Sequence, residues 1–380
     1  MCNTCDSVFG HGDVQVSAPR CFSVCTNMNS ILKFLLRGRA LTVCAAIGAA
    51  HASSGIAVAQ QSAANIEVLQ LRPNLYLIAG AGGNVAVQVG PDGVLLVNTG
   101  AQESSSQVLA AIQKLTEQPI RYVINTNADA DVVGGNAALS KAGQSLATPI
   151  RPAGRQVRVT GLNAFAPIVA HENVLRGMRA PGGQASPFPT DAWPSEPFNG
   201  RRKSFYFNGE GIEIVHQPRA HSDGDVLVFF RRSDVVAAGH LVDATRFPVI
   251  DVARGGSVQG ELDALNRLIE LAIPAGPHVG TPLDGNPTSP PAGGTEVVTG
   301  LGRIYRQIDL VNYRDMVVII RDRIQHLISQ KMTLDQIKAA RPAEAYEPEY
   351  GTTSGTWTAA NFVEAVYTSL TKANTSQPER

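Results

Sequence analysis

From Ile66 onward the apolar residues come in short runs separated by turn signals. "IEVLQL", "LYLIAG", "NVAVQV" and "GVLLVN" have the length and alternation of strands, and "GPDG" between the last two predicts a tight antiparallel turn. The period then changes. Val108, Ala111, Ile112 and Leu115 recur at helical spacing, and Pro119 bounds that helix. "IRYVINT" reads as a buried strand running into "NADADVVGGN", where Gly134 and Gly135 predict a sharp turn before a short helix.

Residues 180–200, "APGGQASPFPTDAWPSEPFNG", are rich in Pro and Gly and carry Phe188, Trp193 and Phe198. A loop of this length reads either as a flap over a site, or a module for interaction around Trp193, or as an ordered surface loop. A second set of strand patterns follows in "KSFYFN", "GIEIVHQ", "DVLVFFRR" and "DVVAAGH", then a helix over about residues 259–272 and a Pro/Gly-rich stretch to Gly294. Tyr313, Met316, Val317, Ile320, Ile324, Leu327 and Ile328 form one apolar stripe on a C-terminal helix that is expected to pack on the main domain. Strands, then helices, then both again predict an α/β sandwich of two sheets covered by helices.

Composition narrows the partners. The chain has 380 residues, 44% of them hydrophobic, enough for a large core. Its 32 basic and 32 acidic residues cancel, so no long-range field draws it to nucleic acid or anionic lipid. A small-molecule ligand or substrate is the expected partner, with no nucleic acid.

The N-terminus sets the expected compartment. From Met28, "MNSILKFLLRGRALTVCAAIGAAHASSGIAVAQ" places Lys33, Arg37 and Arg39 ahead of an apolar run and then small residues, the layout of a secretory signal peptide. Cleavage after Ala52 or Ala59 fits, and the run is too short for a stable span. The mature chain is thus expected in the periplasm or secreted, with no membrane span. Cys2, Cys5, Cys21, Cys25 and Cys44 all precede either cleavage point. The first four have zinc-ribbon spacing, whereas the export signal opening at Met28 makes residues 1–27 an upstream extension. The predicted divisions are 1–27, a signal peptide at 28–59, a main domain at 60–305 and a helical extension at 306–380.

"LLVNTG", "NTNADADVVGGN", "AHSDGDVLVFF", "DVVAAGHLVDATRFPVID" and "GTEVVTGLGR", in that order, resemble the metallo-β-lactamase superfamily, in particular its secreted hydrolase-like members, over most of residues 66–370. The resemblance implies a four-layer αββα sandwich with a metal site along one edge of the two sheets. It also implies a ligand turn of the form H-x-H-x-D-H, whose positions hold Asn127, Asp129, Asp131 and Val132 here. His221 stands at the family's next histidine, His240 where an aspartate bridges two metals, and Leu301 at the last histidine. Asn98 replaces an aspartate near the site.

Asp131 and His221 therefore match the pattern, while Asp129 and His240 are other side chains able to bind a metal. Asn127 offers a weak neutral oxygen, and Val132 and Leu301 offer nothing. Two readings follow. Asp129, Asp131, His221 and His240 accept at most one zinc or iron ion, or they form a hydrogen-bonded polar cluster with no metal. In the family's geometry Val132 and Leu301 are expected to touch as a dry apolar plug. A catalytic metal brings the pKa of bound water down to about 7. Without one, Asp131 as a general base supplies roughly 10²–10⁴-fold. The preferred expectation is a scaffold with impaired hydrolysis and a retained binding or structural role. The alternative is a single-metal hydrolase of esters, amides or lactones. Ser222 is excluded as a nucleophile because neighbours at a strand end point apart, and "GAGG" at 80–83 lacks the following helix of a nucleotide fingerprint.

Overall fold

The computed structural model describes residues 66–146, 165–179, 185–274, 293–352 and 357–375. The export segment, the five cysteines and His278 lie outside the described residues. The apolar runs form the strands their alternation predicts. β1 (Glu67–Arg72), β2 (Leu75–Ala79), β3 (Val85–Gly90) and β4 (Gly93–Val97) make an antiparallel meander, closed at "GPDG" with Gly90 opposite Gly93. Helix α1 (Ser105–Leu115) carries the chain back, so β5 (Ile120–Ile124) lies parallel to β4. After α2 (Ala130–Val133) and α3 (Asn136–Ala142), β6 (Ile168–His171), α4 (Glu172–Met178) and β7 (Glu196–Phe198) complete a sheet ordered β1-β2-β3-β4-β5-β6-β7.

The second sheet contains β8 (Arg202–Phe207), β9 (Glu210–His216), β10 (Val226–Phe230) and β11 (Val235–Asp243), paired antiparallel. Helix α5 (Val258–Leu271) then leads to β12 (Glu296–Leu301), which is parallel to β11. Helices α6 (Gln307–Ser329), α7 (Leu334–Ala339), α8 (Glu347–Tyr350) and α9 (Ala359–Thr375) finish the chain.

Three apolar layers separate four structural ones. Leu77, Leu95 and Ile124 meet Ile212, Ile214 and Val228 between the sheets. On the outer face of the first sheet, Ile78, Val87 and Leu96 pack on Val108 and Ile112 of α1 and Leu139 of α3. Outside the second sheet, Val236 and Ala238 meet Leu265 of α5, Met316 and Ile320 of α6 and Phe362 of α9. This is the αββα arrangement. The predicted α6 stripe holds: Tyr313, Met316, Val317, Ile320 and Ile324 are buried, and Leu327 and Ile328 pack half-buried beside them. Each fully buried side chain of this kind contributes about 1.5–3 kcal/mol, so the C-terminal helices are part of the core.

Gly134 and Gly135 form the predicted turn between α2 and the short helix α3, at ordinary helical backbone angles; glycine is required there for close approach. A Cβ on Gly134 would overlap the Ala130 carbonyl and the Gln102 amide, and one on Gly135 would sit 2.6 Å from the Thr99 carbonyl. The described part of the aromatic loop is an ordered segment ending in β7. Trp193 donates to the Phe188 carbonyl at 3.3 Å and packs half-buried on the cluster of Ala128, Val132 and Val174. Its ring packs against the domain on one side and stays partly exposed.

Candidate functional site

The site stands on an uncharged frame at the ends of β4 and β5. Asn125 and Asn136 exchange side-chain amide hydrogen bonds of 2.9 and 2.8 Å, and Asn136 also donates to the Ala192 carbonyl at 2.9 Å. The Thr99 hydroxyl lies 2.9 Å from the Val132 carbonyl and 3.0 Å from Asn136 Oδ1. Asn98, at φ 67°, accepts from both the amide and the hydroxyl of Thr126 at 3.0 Å, tying β4 to β5. Asn127 Oδ1 accepts from the Asp129 amide at 2.9 Å, which turns the chain into α2. Asn127 is thus a loop-former; its Nδ2 is buried without a hydrogen-bond partner.

The loop after β9 and the later part of β11 bring in the imidazoles. Gly239 has φ 56°, and a Cβ there would overlap the Thr126 hydroxyl. Only glycine permits this crossing, and the register shifts on either side of it rotate β11 as it reaches His240. His221 follows β9 and donates from Nδ1 to the Val249 carbonyl at 2.7 Å, which turns Nε2 toward the site. The glycine loop 80–83 borders the other side: a Cβ on Gly83 would lie 2.7 Å from the Asp131 carbonyl.

These elements gather all four sequence-predicted residues as two carboxylate–imidazole pairs. His221 Nε2 lies 2.9 Å from Asp129 Oδ2, and His240 Nε2 lies 3.2 Å from Asp131 Oδ2. The two rings are 5.8 Å apart, centre to centre. Both contacts have ion-pair distance without hydrogen-bond direction, so each Nε2 is left without a hydrogen-bond partner.

A residue that sequence reasoning missed completes the first pair. The Arg254 guanidinium binds Asp129 Oδ1 through one terminal nitrogen, while its Nε binds Asp251 Oδ2 at 2.6 Å. Asp251 Oδ1 also accepts the Arg254 amide at 2.9 Å. The spacing of Asp251 and Arg254 in "DVARGG" signals a local loop pair; nothing in the sequence signals that the same arginine reaches Asp129.

Charge follows from this geometry. Burial disfavours the charged form of His221, but the adjacent Asp129 carboxylate outweighs it and raises the pKa to about 10. Burial alone would raise the Asp129 pKa; His221 and Arg254 overcome it and hold the carboxyl far below its usual range. Arg254 is held above its usual value against burial by Asp129 and Asp251. Behind His221, burial pushes the carboxyls of Asp225 and Glu261 upward, Glu261 strongly so.

The donor set does not fit a dinuclear metal centre. Val132 is buried among Ala128, Val133, Ala170, Val174 and Met178. Leu301, half-buried at the end of β12, is absent from that cluster, so the expected Val132–Leu301 plug does not form. The reason is local: α2 begins at Ala130, and helical geometry turns adjacent Asp131 and Val132 to different faces. For one ion the set does fit in kind. Ligand atoms of Asp129, Asp131 and His240 lie within 4.8 Å of one another, a carboxylate and imidazole group suited to zinc or iron.

Beside Arg254 opens a cleft of about 330 Å³, lined by Ala128, Asn173, Val174, Arg176 and Asp223 among others. Ser222 is not a nucleophile; its hydroxyl faces Asp225 Oδ2 at 3.1 Å, and the residue is buried. His171 caps α4 and stacks on His216 of β9 with ring centres 3.6 Å apart. Burial first, and His216 next, lower the His171 pKa to about 4, so it stays neutral at pH 7. His326 lies on an exposed helix face.

With this fold and site described, comparison with known proteins gives the class. The family model for the metallo-beta-lactamase superfamily matches residues 79–274, just over half of the chain. The protein belongs to that superfamily and carries its hydrolase scaffold. No curated protein matches significantly. Among solved structures, a metallo-beta-lactamase from Pontibacter korlensis shares 16% identity at a TM-score of 0.47, covering 66% of this chain and 98% of its own. The stereoselective inverting sec-alkylsulfatase Pisa1 from Pseudomonas sp. shares 13% identity at 0.51, covering 83% of this chain and 52% of that chain. A double mutant of the same sulfatase gives 13% and 0.54, over 82% and 52%. This chain therefore spans about half the length of the sulfatase, and at such identities the likeness is one of fold.

Proposed function

We propose that the protein is an exported member of the superfamily that has lost the dinuclear hydrolytic centre and uses the retained cleft to bind a small molecule or to serve a structural role. Export rests on the layout that begins at Met28. The observation that carries the reading is the state of the ligand positions: Asp129 is engaged by His221 and Arg254, and Val132 is packed into the core. Hydrolysis by Asp131 as a general base alone falls well short of the roughly 10⁶-fold or more that enzymes supply. Metal analysis of the mature chain, expressed from Met28, tests it. At most one equivalent of zinc or iron is expected, and two equivalents would overturn the reading.

A second reading is supported by the gathering of Asp129, Asp131 and His240. In it the chain is a hydrolase in which these residues and His221 hold one ion. That ion would lower the pKa of bound water, while Asp131 orients and accepts a proton. A panel of ester, amide and lactone substrates, with a secondary alkyl sulfate added because a sulfatase shares the fold, tests it. Turnover lost both on chelation and in Asp131→Ala supports this reading; turnover indifferent to both removes it.

A further inference from the structure

The Arg254 guanidinium sits on a carboxylate that belongs to the one group able to receive a metal ion among the described residues. We propose that Arg254 is a built-in cation that keeps a divalent ion out, and that its removal opens a mononuclear site made by Asp129, Asp131 and His240. The inference rests on the reading that the dinuclear centre is lost, and it identifies what holds the remaining ligands without a metal.

Three observations support it. His240 is 3% exposed, and its Nε2 has no hydrogen-bond partner although it lies 3.2 Å from Asp131 Oδ2. That is a donor atom buried and aimed into the carboxylate group. Next, Arg254 is fixed from its far side, since Asp251 takes both its Nε and its backbone amide. The arginine is thus presented to Asp129 by its own loop, with little side-chain freedom left to lose. Third, a divalent ion at Asp129 would lie next to a permanent positive charge in a partly buried setting, where like charges repel far more strongly than in water. Ion and guanidinium therefore compete for the same carboxylate, and the tethered group has the advantage.

Isothermal titration of the full mature chain with zinc, and absorption spectra with cobalt, test this without reference to activity. Arg254→Ala is expected to bind one equivalent at least 10-fold more tightly than the parent. Arg254→Lys, which retains the charge, is expected to remain close to the parent. Arg254→Ala combined with His240→Ala is expected to lose the gained affinity and the visible cobalt bands. Arg254 is 33% exposed and lies in a loop; should the alanine variant fail to fold, Arg254→Gln provides the same comparison. Equal affinity in the parent and the uncharged variants overturns the proposal while leaving the loss of the dinuclear centre intact. Two equivalents in the parent overturn that broader reading instead.

Discussion

The two carboxylate–imidazole pairs are alike in composition and differ in surroundings. Asp129 faces a buried histidine on one oxygen and an anchored arginine on the other, so its charge is answered twice. Asp131 faces only His240, is more exposed at 27%, and is bordered by a glycine loop. The first pair is a structural ion cluster. The second keeps the more accessible carboxylate, the property a binding site needs. Similar residues in adjacent positions thus acquire different roles through what the third neighbour contributes.

The sharpest way to break this contrast is to delete each carboxylate. Asp129→Ala leaves the fully buried His221 without its carboxylate and Arg254 with Asp251 alone, and is expected to cost about 3–5 kcal/mol in denaturant unfolding. Chemical denaturation across pH tests the same pair through the charge. The elevated His221 pKa means its contribution is complete below pH 6.5 and fades as pH rises toward about 10. The depressed Asp129 pKa makes its contribution complete above the ordinary carboxylate value of 3.8 and lost only on strong acidification. Stability is therefore expected to fall from pH 6.5 to 10, and Asp129→Asn should flatten that slope.

The second pair should respond less. Gly239→Ala forces a left-handed angle and an overlap with Thr126, and is expected to cost about 1–3 kcal/mol while displacing His240; thermal melts and the His240 imidazole resonance report it. Asp131→Ala removes a partly exposed partner and is expected to cost about 1 kcal/mol or less. A larger loss for Asp131→Ala than for Asp129→Ala would invert the comparison.

Much of this was legible from the chain alone, for physical reasons. Strand runs and the α6 stripe declare themselves because burial repeats with a fixed period, and Tyr313 through Ile324 are buried as that period requires. Asp129, Asp131, His221 and His240 were singled out by the family resemblance, and the fold sets them as two pairs. Arg254 was not singled out, because its contact with Asp129 spans 125 residues and depends on where a loop closes. The Val132–Leu301 contact failed because a one-turn helix redirected Val132, and short helices leave little periodic trace. Gly134 and Gly135 make the turn that the sequence predicts, and glycine is needed there for room rather than for its backbone angles.

The amide frame of Asn125, Asn136 and Thr99 carries no net charge and titrates nowhere near neutrality. It holds its shape regardless of acidity, salt or the ions above it. Backbone geometry at the rim is consequently decoupled from the reactive groups mounted there. Such a separation lets a side chain at the rim change while the frame beneath it keeps its hydrogen bonds.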